Sequence, residues 1–159
     1  MTGAPAASMR APLALTLGEP AGVGPEIIHK AWAVLRDDPD AAFVVIGDSR
    51  TLAAAGASPL ASIHDPAEAR ARFGQALPIL DRPAPASVTP GRPDAANAGA
   101  VADWIEQAVN LALVGDVSGL VTAPIAKAPL YAAGFRFPGH TEFIAELTAD
   151  TPYPARGGR

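Results

Sequence analysis

The chain has 159 residues, of which 49% are hydrophobic and 18% charged, with a net charge of −4 and no cysteine. This composition predicts about one domain with a substantial core, and it excludes a disulfide framework and thiolate chemistry. It argues against nucleic acid as a partner, because binding to phosphate backbones needs a basic surface. No apolar run approaches the roughly 20 residues that span a bilayer, so we expect no membrane contact and a cytoplasmic location.

The first half of the chain alternates short apolar runs with amphipathic segments. Residues 1–11 have no apolar signal segment, which predicts a disordered leader. The next predicted elements are a strand at residues 13–17 and a helix that begins at Pro25. One face of this helix carries its apolar residues: Ile27, Ile28, Ala31, Trp32 and Leu35. A strand at 42–48 and a short helix ended by Gly56 follow, then a stretch to residue 75 with only a weak periodic pattern, and a strand at 76–81. Pro78 places that last strand at a sheet edge or at its own start.

The second half begins with a proline-rich loop at residues 82–94 and continues the alternation. The predicted elements are the strongest helix of the chain, with Asp94 as N-cap and Gly115 at its end, a buried strand at 119–124, a short helical segment ended by Gly134, and a helix beginning at "HTEF". After residue 150 no further strand follows. We therefore expect an α/β lobe at 12–135 and the start of a second lobe, with an aberrant tail, at 136–159.

Strands that alternate with helices predict an α/β fold with three α/β/α layers and a mainly parallel sheet. Ligands of such sheets bind at the carboxyl ends of the strands. This rule selects three loops as candidate site segments: residues 18–24, 48–50 and 122–127.

The first of these loops lies in "LTLGEPAGVGPEI", a strand, a glycine-rich loop and a helix start. Its glycines let backbone N–H groups approach an anion, and Glu19 can face a cleft. The spacing is neither the dinucleotide fingerprint nor a P-loop, and a purely structural turn is an equal alternative.

Two further stretches carry polar side chains after predicted turns. In "VTAPIAKAPL", Thr122 and Lys127 follow a strand, and the lysine either holds an anion or is simply solvated. In "PGHTEF", His140 and Thr141 precede a helix, and the alternative to a site is that Thr141 caps this helix beside an incidental histidine. The three histidines of the chain show no metal-ligand spacing, so the sequence predicts no metal site.

Together, "LALTLGEPAGVGPEI", "GLVTAPIAKAPLYAAGF" and "FPGHTEFIAELT" resemble the 4-hydroxythreonine-4-phosphate dehydrogenase family of pyridoxal 5′-phosphate biosynthesis. The resemblance implies an isocitrate/isopropylmalate dehydrogenase-like fold, and a homodimer that oxidises 4-phosphooxy-L-threonine with NAD or NADP. Decarboxylation then gives 3-amino-2-oxopropyl phosphate. It also implies a divalent metal, commonly zinc, that polarises the substrate oxygen. His140 and Thr141 map onto the family's substrate contacts, while Glu19, Thr122 and Lys127 map less directly onto the same cleft.

The chain departs from the family pattern in sequence and in length. Glu19 stands where the family often has aspartate, and Ala126 where it often has asparagine. Family members are roughly twice as long. Their metal-binding histidines, the basic residues that hold the substrate phosphate and most of their cofactor site lie beyond the "GHTE" motif. The resemblance therefore implies a truncated chain that is inactive alone. The alternatives are a paralogue that oxidises another phosphorylated hydroxy acid, and a non-catalytic module that binds a phosphorylated ligand or a partner.

Overall fold

A computed structural model describes residues 10–152, so residues 1–9 of the leader predicted at 1–11 and residues 153–159 of the predicted tail lie outside this range. The strands are β1 (Leu13–Thr16), β2 (Phe43–Gly47), β3 (Leu60–Ser62), β4 (Leu77–Asp81) and β5 (Leu120–Thr122). The helices are α1 (Gly24–Leu35), α2 (Ser49–Ala54), α3 (Ala69–Phe73), α4 (Ala98–Val114), α5 (Lys127–Ala132) and α6 (His140–Leu147), with 3₁₀ turns at Pro39–Ala41, Pro66–Glu68 and Ala95–Asn97.

The five strands form one sheet in the order β3-β4-β2-β1-β5, and all four of its ladders are parallel. The crossover from β1 to β2 runs in the opposite direction to the crossover from β4 to β5. Because such crossovers are right-handed, α1 and α4 lie on opposite faces of the sheet. The predicted three-layer α/β fold with a parallel sheet is confirmed.

The core lies around the central strand β2, every residue of which is buried. On one side of this strand the Trp32 side chain of α1 donates a hydrogen bond to the Phe73 carbonyl at the end of α3 (2.8 Å). The rings of Phe73 and Phe43 also form a T-shaped contact, with centroids 4.9 Å apart. A buried tryptophan whose N–H is satisfied adds apolar contact without leaving a polar group unpaired.

Several predicted details are wrong. The segment at 57–75 contains β3 and α3, which were not predicted. Of the two alternatives that Pro78 predicts for β4, the strand start is confirmed, because Pro78 is the second residue of β4. The sheet edge is wrong, because β4 lies between β3 and β2, and it pairs with β2 only from Ile79 onward. Strand β5 is an edge strand rather than a buried one, and Val121 is 47% exposed. Ile27 likewise points away from the buried face of α1.

Candidate active site

The glycine-rich loop after β1 packs directly against the segment after β5. The Glu19 amide donates a hydrogen bond to the Pro124 carbonyl (2.9 Å). Gly18 has φ +72°, and a Cβ atom at this position would lie 2.5 Å from the same carbonyl oxygen. The loop can therefore follow this path only with glycine at position 18. Two of the three loops selected from the sequence are brought together here.

Glu19 is a buried carboxylate, 5% exposed, at the carboxyl end of β1. One of its oxygens accepts a hydrogen bond from the Ala21 amide (3.0 Å). Burial raises the pKa of Glu19, the Ala21 hydrogen bond partly offsets this, and the nearby charge of Asp94 raises the pKa further. A buried carboxylate at the end of a strand, whose charged form is disfavoured by its surroundings, has the properties of a functional group.

Replacing Glu19 with glutamine is expected to stabilise the fold at pH 7. The pKa of Glu19 is raised in the folded state, so its contribution to stability is intact below the unfolded pKa of about 4.3 and is lost as the pH rises through the folded pKa. Glutamine keeps the acceptor for Ala21 without the charge. We expect the Tm to rise by about 2–4 °C at pH 7, by calorimetry.

The matched control is Glu106→Gln, which changes an exposed glutamate of α4. Its Tm should stay within about 1 °C of the Tm of the parent protein at pH 7 and at pH 4. The Glu19→Gln gain should vanish near pH 4. A gain that persists unchanged at pH 4, or a loss at pH 7, would contradict the argument from burial.

The segment after β5 also meets the start of α6. The Cε atom of Lys127 lies 4.0 Å from the position that a Cβ on Gly139 would occupy. The Tyr131 hydroxyl donates a hydrogen bond to the Pro138 carbonyl (3.1 Å). A cluster of three aromatic rings, with centroids 5.0 to 5.3 Å apart, holds the intervening turn against α6: Phe135, Phe137 and Phe143. Lys127 is therefore placed beside the segment that carries His140 and Thr141.

His140 is the first residue of α6 and is half-buried. Its Nε2 atom is buried and has no hydrogen-bond partner among residues 10–152. Burial lowers the pKa of His140, so the imidazole is neutral at neutral pH. A buried imidazole nitrogen without a partner is rare enough in proteins to need an explanation, and a ligand atom would supply one.

Thr141 does not cap the last helix. The cap position is Gly139, no side chain caps the helix, and Thr141 lies one residue inside it with an exposed side chain. The capping alternative is therefore wrong, and within residues 10–152 its hydroxyl forms no hydrogen bond. No hydrogen bond or ion pair of this described range joins Glu19 to His140, so the two remain separate candidates at one edge of the sheet.

Thr16 and Thr122 are aligned on neighbouring strands at this edge. Thr122 is half-buried, whereas Thr16 is 1% exposed and its hydroxyl oxygen has no hydrogen-bond partner in the described part of the chain. Thr16 is not among the candidate site residues predicted from the sequence. Its position at the last residue of β1, inside the run "LALTL", is the signal that could have identified it.

The remaining predicted loop, residues 48–50, forms a different arrangement around Asp48, whose side chain is 2% exposed. Its two oxygens accept hydrogen bonds from the Arg50 amide (2.8 Å), the Ala84 amide (2.8 Å) and the Arg50 guanidinium (2.6 Å). Burial alone would raise the pKa of Asp48, but these hydrogen bonds outweigh it and the pKa is lowered. The carboxylate thus fixes Arg50 and ties the loop after β4 to the start of α2.

A cleft of about 370 Å³ opens beside Arg50. It lies between the glycine-rich loop, the first turn of α1, α2 and residues 86–90, and none of His140, Thr141 and Lys127 lines it. The sheet edge therefore carries two candidate regions, one at the start of α6 and one at α2.

Two absences hold for residues 10–152. No three side chains of His, Cys, Asp or Glu lie together as a possible metal site, so these residues do not fit the metal that the resemblance implies. Among the same residues, no helix is long and apolar enough to cross a membrane.

Comparison with known proteins identifies the family. Residues 39–154 match the family model of the pyridoxal phosphate biosynthetic protein PdxA. A 4-hydroxythreonine-4-phosphate dehydrogenase of Caulobacter vibrioides is 58% identical over 139 residues, covering 87% of this chain and 41% of the relative. The corresponding protein of Zymomonas mobilis is 46% identical, with 84% and 40% covered.

Solved structures agree with this assignment. The crystal structure of a 4-hydroxythreonine-4-phosphate dehydrogenase from Burkholderia phymatum matches with a TM-score of 0.79 and 32% identity, covering 88% of this chain and 44% of that one. The chain thus spans about two fifths of the length of the curated relatives it matches. With the fold and the motif-bearing loops of these dehydrogenases, the chain belongs to the PdxA family.

Proposed function

We propose that the chain forms part of the substrate site of a dehydrogenase that oxidises 4-phosphooxy-L-threonine in pyridoxal phosphate biosynthesis. NAD or NADP accepts the hydride, and loss of CO₂ from the oxidised product gives 3-amino-2-oxopropyl phosphate. The observation that carries the proposal is the buried, unpartnered Nε2 of His140 at the start of α6. The proposal extends to a homodimer in the cytoplasm.

The groups near His140 suit a small polar anion. The neutral imidazole presents one nitrogen that can donate to, or accept from, a substrate oxygen. Lys127 beside Gly139 has no ion pair among residues 10–152 and supplies a positive charge for a carboxylate or phosphate. Thr141 adds an exposed hydroxyl one residue further along. These three side chains would bind and orient the substrate.

The divalent metal enters the proposal only because the resemblance to the family implies one. When bound, a divalent metal would polarise the alcohol and then the ketone. No residue of the described range is assigned to it, because these residues do not form a site for it. The role derived for this chain is therefore recognition of the substrate.

The test is a segment exchange. The matching 139-residue segment of the Caulobacter relative is replaced with that of this chain, and NADH formation from 4-phosphooxy-L-threonine is measured. The hybrid should be active, and His140→Ala in it should lower kcat/KM about tenfold, as expected for one lost hydrogen bond of about 1.4 kcal/mol.

His64→Ala is the control, because His64 is exposed and lies outside the site; its kcat/KM should be unchanged. A folded hybrid without activity on any phosphorylated hydroxy acid would overturn the proposal. Activity on a different phosphorylated hydroxy acid only would replace the substrate and favour a paralogue. Equal kcat/KM values for His140→Ala and the parent hybrid would remove His140 from the site.

A further inference from the structure

Two side chains of opposite charge lie close to Gly139, at the start of α6. The Oε2 atom of Glu142 is 3.5 Å from the position that a Cβ on Gly139 would occupy, and the Cε atom of Lys127 is 4.0 Å from the same position. Glu142 belongs to the first turn of α6, whereas Lys127 is the first residue of α5. Because both atoms lie near one point, a single small ligand can contact both side chains.

These two charges do not neutralise each other. Among residues 10–152, the side chains of Glu142 and Lys127 form no ion pair and no hydrogen bond, and both residues are exposed. A carboxylate in the first turn of a helix interacts favourably with the helix dipole, so the charge of Glu142 is tolerated without a ligand. A ligand can therefore bind both groups without first breaking an ion pair.

Gly139 leaves room beside the two charges. Its backbone is extended, with φ −177° and ψ −165°, a conformation that other residues also adopt. A Cβ atom here would make only ordinary contacts, since its nearest neighbours are these two side chains at 3.5 and 4.0 Å. The fold thus does not require glycine at position 139, and the missing side chain leaves space that a ligand can fill.

His140 adds a neutral polar atom next to this space. Its Nε2 atom is buried without a hydrogen-bond partner in the described range, and the imidazole is neutral at neutral pH. A neutral imidazole nitrogen suits a hydroxyl group, which can donate or accept a hydrogen bond. The start of α6 therefore presents an anion, a cation and a neutral polar atom, which match the ammonium, carboxylate and hydroxyl groups of a hydroxylated α-amino acid.

We propose that Glu142 binds the α-ammonium group of the substrate while Lys127 binds its α-carboxylate, so that the site selects an amino acid over the corresponding hydroxy acid. A hydrogen bond between an ammonium and a carboxylate is stronger than one from a neutral hydroxyl. The choice of a phosphorylated amino acid rests on the proposed function. The inference goes further, because it assigns the residue that separates this substrate from the hydroxy acid of a paralogue.

The test measures binding alone. The purified 159-residue chain is titrated with 4-phosphooxy-L-threonine and with 2,3-dihydroxy-4-phosphooxybutanoate, in which a hydroxyl replaces the ammonium, and amide shifts are followed by NMR. Saturable shifts are expected at Lys127, Gly139 and His140, with the amino acid bound at least fivefold more tightly. Absence of binding at millimolar amino acid, or equal affinity for the two ligands, would overturn the proposal.

Glu142→Gln removes the charge and keeps the size of the side chain. We expect this variant to bind the amino acid at least fivefold more weakly and to bind the dihydroxy acid within twofold of the parent. Glu146→Gln is the matched control, because Glu146 is an exposed glutamate one turn further along α6, and its affinities should equal those of the parent. Equal losses for the two ligands in Glu142→Gln, or no loss for the amino acid, would remove the assigned role from Glu142.

Gly139→Ala fills the space beside the two charges. Because alanine is a poorer N-cap than glycine, the Tm should fall, but by no more than about 4 °C. Both ligands should bind at least fivefold more weakly, and unchanged binding would show that the ligand does not occupy this space.

The proposed function and this inference can fail separately. An inactive segment-exchange hybrid, together with amino acid binding by this chain that depends on Glu142, would reject the proposed function and keep the inference. An active hybrid, together with a Glu142→Gln chain that binds both ligands as the parent does, would do the reverse.

Discussion

Replacing Gly18 with alanine is expected to lower the free energy of unfolding by about 2–4 kcal/mol, because two costs coincide at this residue. Gly18 has φ +72°, where a Cβ atom is strained. That Cβ would also lie 2.5 Å from the Pro124 carbonyl oxygen and 2.8 Å from that of Ala123. Both obstacles are backbone atoms, which cannot rotate away as a side chain can. Urea unfolding monitored by circular dichroism measures the change.

Gly115→Ala separates the two costs. Gly115 ends α4 with φ +87°, and no atom of the described residues lies within 4 Å of the position that a Cβ would occupy. Its replacement should therefore show only the backbone cost, about 1 kcal/mol. If Gly18→Ala costs no more than this control, the glycine-rich loop moves away from Pro124 without loss, and the close contact between the two loops does not matter.

The contact at Gly18 also supports the environment of Glu19. The adjacent amide donates to Pro124, and displacement of the loop would expose the neighbouring carboxylate to water. In the Gly18→Ala background, Glu19→Gln should then lose most of its stabilising effect. Non-additivity of this kind is the mark of residues that share one local structure.

The parts of the fold that the sequence predicted are those with long or strongly apolar patterns. Helix α4 has 17 residues, so the apolar spacing repeats several times, and β2 is apolar throughout. Strand β3 has three residues and α3 has five, which is too short for a period to appear. The edge position of β5 was missed because burial of a strand depends on its neighbours, which its own three residues do not specify.

The candidate site was predicted to the level of loops but not of contacts. The rule that ligands bind at strand ends selected all three loops, and the structure joins the first and the third through Glu19 and Pro124. The partner of Asp48 could not be predicted, because the Ala84 amide lies 36 residues away in a loop without a periodic pattern. Likewise, nothing in the sequence shows that the Nε2 atom of His140 is buried without a partner.

Replacing Asp48 with alanine is the second change with a large expected effect, about 3 kcal/mol of unfolding free energy at pH 7. The carboxylate caps α2 through the Arg50 and Thr51 amides and satisfies the Ala84 amide of a buried residue. Loss of the cap costs about 1 kcal/mol, and a buried N–H left without an acceptor costs about 1–3 kcal/mol more. Denaturant unfolding of the two proteins at a series of pH values measures the difference.

The pH dependence of this loss of unfolding free energy tests whether the charged carboxylate of Asp48 causes it. The pKa of Asp48 is lowered in the folded state, so its contribution is present above the unfolded pKa of about 3.9 and is lost as the pH falls through the lower folded pKa. The difference between parent and Asp48→Ala should therefore shrink below about pH 4. Asp65→Ala removes an exposed cap and should cost no more than about 1 kcal/mol. If Asp48→Ala costs no more than Asp65→Ala, its hydrogen bonds are not the element that fixes Arg50 and the loop after β4.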